Sequence, residues 1–232
     1  MTLQAIIFDI DGTLVDTNPA HVEAWRRAFE RLGYVVPTAR IEGEIGKGGD
    51  LLVPAILGPE VETRHGEALR KLQKEEFLEI AEREGFRVFP RVPKLFRALR
   101  ERKIRTALAT SSDKKHLKAT CQSAGIDLPS LADVLVTNDE AESSKPEPDL
   151  IIAAVEKLSV TRAECAMVGD TIYDAQACQK AGVIFLGLES GGTDAETLVS
   201  AGAVGVWPDT GALYADLDRA LELATLAAVT SD

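Results

Sequence analysis

The chain of 232 residues contains 26 Lys and Arg against 37 Asp and Glu, which gives a formal net charge of −11. This excess of negative charge argues against general binding to nucleic acid or to an anionic membrane surface, but it leaves room for a small phosphorylated partner held by local cations. The hydrophobic fraction of 45% is typical of a globular protein, and we find no apolar run long enough to cross a membrane and no evident secretion signal.

The three cysteines, Cys121, Cys165 and Cys178, form no Cys-x-x-Cys motif. A disulfide framework or a zinc site normally shows an even number of cysteines or a characteristic spacing between them. We therefore expect three reduced thiols in a cytoplasmic protein.

Short apolar runs typical of buried strands recur along the chain, and helical patterns separate most of them. Apolar residues between the runs fall on one helical face, as Val92, Leu95 and Leu99 do. Strands that alternate with helices predict an α/β fold with a doubly wound, Rossmann-like parallel sheet. The predicted strands span residues 5–10, 106–110, 133–137, 166–170, 183–188 and 203–207.

Residues 16–88 interrupt this alternation, because they contain no convincing strand. Asn18 and Pro19 predict a helix with Asn18 as its N-cap and proline at its first position, and Gly33 predicts the end of that helix. A second helical region, rich in Glu, Lys, Arg and Leu, covers about residues 59–84.

This helical block predicts a second domain inserted into the first. We expect an all-helical cap domain over residues 16–88 and an α/β core domain formed by residues 1–15 and 89–232. The linkers between them are expected near residues 15–18 and 86–91.

Two aspartates end the first predicted strand, in the order Asp9-Ile10-Asp11-Gly12-Thr13. The ligand site of an α/β sheet lies beyond the carboxyl ends of its strands. Two carboxylates placed close together repel each other unless a cation or a shared proton offsets the repulsion, and Gly12 allows the backbone to turn sharply toward a ligand. The pair therefore predicts a metal and a reaction at this strand end.

Three further groups of polar residues lie at or after the ends of predicted strands downstream. Thr110 and Ser111 have hydroxyls that can hold an oxyanion, although a turn or a helix cap is their commoner role. Lys145 is either a surface charge or a cation that reaches the aspartates. Asp170 and Asp174 either begin a helix, with Asp170 as its N-cap, or hold Mg²⁺, which prefers carboxylate oxygens.

In this order the motifs resemble those of the haloacid dehalogenase-like (HAD) phosphohydrolases, in the subgroup with a helical cap that includes phosphoglycolate phosphatase and β-phosphoglucomutase-like proteins. The resemblance implies that Asp9 is the nucleophile, which forms an aspartyl-phosphate. It implies that Asp11 acts as general acid and base. Mg²⁺ is expected on the Asp9 carboxylate, the Asp11 backbone carbonyl and Asp170, with Asp174 in support.

The same resemblance implies where the phosphoryl group binds. Thr110 and Lys145 are expected to contact its oxygens, together with backbone N–H groups near Gly12 and Ser111. Dehalogenases of the family generally lack an aspartate at the position of Asp11, so its presence favours phosphate chemistry. We expect a Mg²⁺-dependent phosphatase that acts on a small phosphorylated metabolite.

Two alternatives stay open at this point. His21, with Trp25 behind it, is similar to a histidine of the sugar-phosphate mutases that resemble β-phosphoglucomutase, but plain phosphatases share it and it is equally well explained by packing. Lys47, in the loop of residues 46–50, either contacts a substrate anion or is exposed in a flexible connection. That loop lacks the arginine with which the mutases hold a second phosphate, which disfavours a mutase. A non-catalytic binding protein is the more remote alternative.

These motifs identify neither the substrate nor the oligomeric state. Phosphoglycolate, small sugar phosphates and nucleotide monophosphates all suit a small helical cap, and the first two are preferred on resemblance. The protein is expected to be a monomer or a homodimer.

Overall fold

A computed structural model of the protein describes residues 2–141 and 143–230. The strands in this part of the chain are β1 (Ala5–Phe8), β2 (Val15–Asp16), β3 (Arg87–Val88), β4 (Arg105–Ala109), β5 (Val134–Val136), β6 (Cys165–Gly169), β7 (Ile184–Leu188) and β8 (Val206–Trp207). The α-helices are α1 (Asn18–Arg31), α2 (Thr38–Glu42), α3 (Gly49–Leu57), α4 (Pro59–Arg83), α5 (Val92–Glu101), α6 (Lys114–Ala124), α7 (Asp149–Leu158), α8 (Ile172–Ala181), α9 (Ala195–Ser200), α10 (Thr210–Ala215) and α11 (Leu217–Thr230). Among the described residues, no helix is both long enough and apolar enough to span a membrane.

One parallel sheet organises the core, with the strand order β5-β4-β1-β6-β7-β8. In the central strand β1, Phe8 pairs with Leu108 of β4 on one side and with Val168 of β6 on the other. The N–H of the next residue, Asp9, donates to the Val168 carbonyl at 3.0 Å. Because these three strands run parallel and in register, the residues that follow them lie side by side at one edge of the sheet. The doubly wound α/β core is confirmed.

The two faces of the sheet are covered by separate apolar clusters, because successive side chains of a strand point to opposite faces. Ile6 and Phe8 belong to one cluster, and Ala5 and Ile7 belong to the other. All four are buried, as expected for a strand in the middle of a parallel sheet. Cys121, Cys165 and Cys178 are free thiols.

Helices α1 to α4 pack together as a helical cap, which the sequence predicted. Helix α4 lies against both α1 and α3. These helices bury an apolar cluster of their own, which includes Trp25, Phe29, Leu52 and Leu69 and is distinct from the two clusters of the sheet.

Two details differ from the sequence prediction. Strands β2 and β3 pair antiparallel, Val15 with Val88 and Asp16 with Arg87, although residues 16–88 were expected to contain no strand. Two-residue strands are too short to give a periodic pattern, and they join the segments expected to be linkers.

The second difference concerns the start of α1. Its N-cap is Thr17 and not Asn18, which is the first helical residue. The Asn18 side chain instead donates to Asp170 and to the Gly191 carbonyl, both at 3.1 Å. A contact with the site therefore replaces the local capping bond.

Candidate active site

Lys145 lies at the centre of a buried cluster of carboxylates. Its Nζ pairs with Oδ1 of Asp9 and lies 2.8 Å from Oδ1 of Asp174. Lys145 is 2% exposed, which excludes the alternative of a surface lysine. A charge buried this deeply requires opposite charges beside it, and Asp9 and Asp174 supply them.

Asp170 and Asp174 follow β6 and complete the cluster. Asp170 does not cap the next helix: the N-cap of α8 is Thr171, whose N–H and hydroxyl donate to Oδ2 of Asp174 at 3.1 and 2.7 Å. Asp170 instead accepts hydrogen bonds from the Thr13 hydroxyl at 2.7 Å and from Asn18. The capping bonds hold one oxygen of Asp174 in place, while the other oxygen faces Lys145.

The donor set of this cluster fits a hard divalent cation. Carboxylate oxygens of Asp9, Asp170 and Asp174 all lie within 4.8 Å of one another. Burial raises the pKa of Asp9; Lys145 opposes this effect, and Asp174 and Asp170 add to it. Burial, and next the charge of Asp174, raise the pKa of Asp170 to about 7. Three buried carboxylates against one lysine leave negative charge that a bound cation would offset.

Glycine backbone closes around Asp170. A Cβ on Gly12, whose φ is +77°, would lie 2.3 Å from Oδ2 of Asp170, and a Cβ on Gly191 would lie 1.6 Å from the same atom. Side chains at these two positions would therefore displace the Asp170 carboxylate. The Gly12 N–H donates to the Val15 carbonyl at 2.9 Å, so it is engaged within its own turn.

Asp11 lies in a different environment from Asp9, although the two are separated by one residue. Oδ1 of Asp11 accepts from the Thr17 hydroxyl at 2.7 Å and lies 3.3 Å from Nε2 of His21. Oδ2 accepts from the hydroxyls of Thr110 at 3.2 Å and Ser112 at 3.0 Å. Burial acts to raise the pKa of Asp11, but His21 and the hydroxyl donors outweigh it and hold the pKa well below its usual range.

The hydroxyls that follow β4 divide between two tasks. Thr110 donates to Asp11 and accepts from the Ser112 N–H at 3.0 Å, so it supports Asp11 directly. The Ser111 hydroxyl is buried and has no hydrogen-bond partner within residues 2–141 and 143–230. Ser111 and Asp9 line the same cavity, and the Ser111 hydroxyl is available to a ligand there.

A cavity of about 380 Å³ separates this cluster from the cap. His21 of α1 lines it, stacks on Phe77 with ring centroids 4.2 Å apart, and reaches Asp11 in the core. His21 therefore packs within the cap and also lies beside Asp11. Lys47 also lines the cavity, but it pairs with Glu44 and lies over the ring of Tyr173, with Nζ 4.7 Å from the centroid.

The structure also assigns contacts to residues that the sequence analysis did not select. Thr13 and Asn18 bond Asp170, and Ser112 bonds Asp11. Thr13 belongs to the first motif, so its hydroxyl could have been predicted from the sequence to contact the site. Asn18 carries no such signal, because an asparagine before a proline is typical of a helix start.

Comparison with known proteins agrees with this geometry. The family model of the haloacid dehalogenase-like hydrolases matches residues 3–182, so the chain belongs to that family. The chain is 29% identical over 214 residues to the phosphorylated carbohydrates phosphatase of Thermotoga maritima, which covers 87% of this chain and 93% of that protein. It is 27% identical over 210 residues to the phosphoglycolate phosphatase of Escherichia coli, which covers 82% of each.

A solved structure shows the same fold over nearly the whole chain. A hydrolase from Pseudomonas syringae superimposes with a TM-score of 0.86 at 28% identity, covering 93% of this chain and 98% of that one. The fold class, the family and the enzyme class predicted from the sequence, a HAD-like phosphatase, are confirmed.

Proposed function

We propose that this protein is a Mg²⁺-dependent phosphatase that hydrolyses small phosphomonoesters through an aspartyl-phosphate on Asp9. One observation carries the proposal: two carboxylates from one strand end occupy opposite environments. Asp9 lies against Lys145 in the carboxylate cluster, whereas Asp11 turns toward His21 and a set of hydroxyls. Different environments allow two carboxyl groups to divide nucleophilic and acid–base work.

The reaction proceeds in two displacements. An oxygen of Asp9 attacks phosphorus, the ester bond breaks, and the leaving oxygen takes a proton from Asp11. A water molecule then attacks the aspartyl-phosphate and gives a proton to Asp11, which releases phosphate and restores Asp9. Because the pKa of Asp11 is held low before substrate binds, Asp11 takes up a proton from solvent as the phosphate dianion arrives: like charges disfavour the ionised form and raise this pKa. Asp11 then gives that proton to the leaving oxygen.

The residues around Asp9 bind and orient the phosphoryl group. Lys145 neutralises its charge, and Ser111 offers its free buried hydroxyl. Asp9, Asp170, Asp174 and the Asp11 carbonyl would hold Mg²⁺, which when bound supplies positive charge to the phosphoryl oxygens. Positioning and charge neutralisation supply most of the catalysis in phosphoryl transfer. Phosphate contacts of Thr110, of His21 and of backbone N–H groups near Gly12 and Ser111 are part of the proposal, and Lys47 is proposed to line the part of the cavity that receives the leaving group.

We further propose that residues 16–88 form a cap domain that closes over residues 1–15 and 89–232. Tyr173 donates from its hydroxyl to the Gly43 carbonyl at 2.7 Å, and Ser144 donates to Asp50 at 2.8 Å, so polar contacts join the two parts. The enzyme is proposed to act in the cytoplasm as a monomer or homodimer.

A mutase is the second candidate, because the contact between His21 and Asp11 is compatible with a mutase as well as with a phosphatase. This contact crosses from the cap to the core, so it would tie acid–base action to closure in either enzyme. In a mutase the phosphoryl group returns to another hydroxyl of the substrate, and no phosphate is released.

Phosphate release with and without Mg²⁺ tests both candidates. We expect Mg²⁺-dependent release from p-nitrophenyl phosphate and from some members of a metabolite panel, and about a 10³-fold or greater loss of kcat in Asp9→Asn. Asp218→Asn is the matched control, because Asp218 is exposed and pairs only with Arg102 in the part of the chain described. Acid-quenched protein should retain ³²P from labelled substrate in wild type and not in Asp9→Asn.

Two results would contradict the proposal. An active Asp9→Asn enzyme excludes the aspartyl-phosphate. Conversion of β-glucose 1-phosphate to its isomer in the presence of its bisphosphate, without phosphate release, makes the protein a mutase.

A further inference from the structure

The cavity that Asp9 lines also contains a group of charged side chains, most of them from the cap, whose charge pattern restricts the leaving group of the substrate. We call this surface the distal wall and define it by Lys47, Asp50, Arg70, Lys74 and Asp113, all of which line the cavity. Four of these residues come from the cap, and Asp113 comes from the core, where it begins α6.

Each cation of the distal wall already has a carboxylate partner. Lys47 pairs with Glu44. Nη1 of Arg70 lies 2.7 and 2.9 Å from the two carboxylate oxygens of Glu62. Nζ of Lys74 lies 2.7 Å from Oδ2 of Asp113. A substrate anion that approached any of these cations would have to compete with a carboxylate already in contact with it.

Asp50 adds a further carboxylate without adding a cation. It accepts a hydrogen bond from the Ser144 hydroxyl at 2.8 Å, which places it beside the residue that precedes Lys145. The distal wall and its partners therefore carry four carboxylates against three cations. A second negative group on the substrate would be repelled here, whereas a hydroxyl would find acceptors.

His116 provides another acceptor at the same wall. Its Nδ1 lies 2.9 Å from Oδ1 of Asp113, which assigns the ring proton of the neutral form to Nδ1. Its Nε2 is buried and has no hydrogen-bond partner among the residues described, and His116 lines the cavity. A hydroxyl of the substrate can donate to this nitrogen.

We propose that the substrates are phosphate monoesters of neutral, polyhydroxylated compounds, and not monoesters that carry a carboxylate or a second phosphate. This inference rests on the proposed phosphatase function. Asp50 is the specificity-determining residue that rejects a second anion, and Asp113 and His116 accept hydrogen bonds from substrate hydroxyls. The cavity volume of about 380 Å³ suits a compound of the size of a small sugar phosphate.

A matched substrate pair tests the inference. Glycerol 3-phosphate and 3-phosphoglycerate share a three-carbon chain and a hydroxyl, and they differ at the far carbon, which bears a hydroxyl in one and a carboxylate in the other. We expect kcat/KM for glycerol 3-phosphate to be at least about tenfold higher, mainly through KM, since one repulsive contact of about 1.4 kcal/mol gives a factor of ten.

Asp50→Asn should narrow this ratio by lowering KM for 3-phosphoglycerate, and Asp218→Asn should leave it unchanged. Higher ionic strength should also narrow the ratio in the wild type, because salt screens charge repulsion. This second measurement does not depend on the folding of any variant.

The possible outcomes distinguish a failure of this inference from a failure of the proposed phosphatase function. A ratio near one, or a preference for 3-phosphoglycerate, overturns the inference while the phosphatase stands. A preference that Asp50→Asn and salt both leave intact overturns the role of the distal wall. If neither ester nor p-nitrophenyl phosphate releases phosphate, the proposed function fails and this inference fails with it.

Discussion

The two sides of the cavity are built in different ways. The floor of the cavity, which we define as Asp9, Lys145, Asp170 and Asp174, is almost inaccessible to solvent. Asp9 and Asp170 directly follow two neighbouring strands of one sheet. The distal wall consists of partly or fully exposed side chains on helices and one loop, and its three cations are held in ion pairs. Strand register fixes the floor, whereas surface contacts that change at small energetic cost determine which leaving group enters.

The largest effect that distinguishes the two sides is expected at Lys145. In Lys145→Met the three buried carboxylates lose their cation, and breaking a buried ion pair from one side costs about 3–5 kcal/mol. The free energy of unfolding in urea, measured without metal, should fall by that amount.

Lys180→Met is the matched control for Lys145→Met. Lys180 pairs with Glu147 at 2.6 Å, but both side chains are about half exposed, so the loss should stay below about 1 kcal/mol. Equal losses in the two variants would show that the floor is no more tightly coupled than the surface.

The second largest effect is expected from added Mg²⁺, which should stabilise the protein through the carboxylates of the floor alone. A cation that binds the folded state stabilises it by about 2.7 kcal/mol when its free concentration is 100 times Kd. We expect Mg²⁺ to raise Tm in the wild type and to lose most of this effect in Asp170→Asn. Removal by EDTA should reverse the rise, and Asp218→Asn should respond as the wild type does. If millimolar Mg²⁺ leaves Tm unchanged, the result argues against a metal site at these carboxylates.

This contrast also explains how far the sequence predicted the molecule. Asp9 and Asp170 end or follow apolar runs, and Lys145 comes a polar segment after another, so the sheet was predicted and the meeting of these three residues was one of the interpretations that the sequence offered. The sequence also allowed Asp170 to be the N-cap of the next helix. Thr171 followed by Asp174 three residues later forms a capping box, and this pattern identifies Thr171 as the N-cap instead.

The distal wall was not predicted, because no local pattern encodes it. Arg70 and Lys74 lie on a helix whose charges are typical of a solvated face, and Asp113 is an ordinary N-cap. Only the packing of the cap against the core brings them to one cavity. The two-residue strands β2 and β3 were missed for the same reason, since their pairing joins residues 71 positions apart.

A substitution at Asp113 tests the distal wall, and we expect its effect on stability to be intermediate in size. It caps α6 by accepting from the His116 N–H at 2.9 Å, and loss of such a cap costs about 1–2 kcal/mol. Asp113→Ala should therefore lower the free energy of unfolding by that amount and also change KM. Asp209→Ala, which removes the cap of α10, should cost a similar energy and leave KM unchanged. The same KM in both variants would remove Asp113 from substrate recognition.

The charge of Asp113 adds a pH dependence with a definite sign. The hydrogen bond from His116 lowers the pKa of Asp113 below its usual range, against partial burial and with help from Lys74. Because the folded-state pKa is the lower one, this stabilisation is complete above the unfolded pKa of about 3.9 and disappears as the pH falls through the folded pKa. The stability difference between wild type and Asp113→Asn, which keeps a capping oxygen, should shrink when urea unfolding is repeated at pH 4 and below. A difference that does not change with pH would show that charge plays no part.

The smallest effect is expected at Tyr173, which joins the two sides. Its hydroxyl donates to the Gly43 carbonyl at 2.7 Å, and its ring lies beneath Lys47, while its neighbour Asp174 belongs to the floor. Tyr173→Phe removes one hydrogen bond of about 0.5–1.5 kcal/mol and keeps the ring. If this bond forms only when the cap is closed, the closed population falls by the same free energy, and KM should rise about two- to tenfold with little change in kcat. Tyr214→Phe, which alters a tyrosine packed against the core cluster away from the cavity, should leave KM unchanged. A fall in kcat with unchanged KM would instead place the role of Tyr173 in holding Asp174, on the side of the floor.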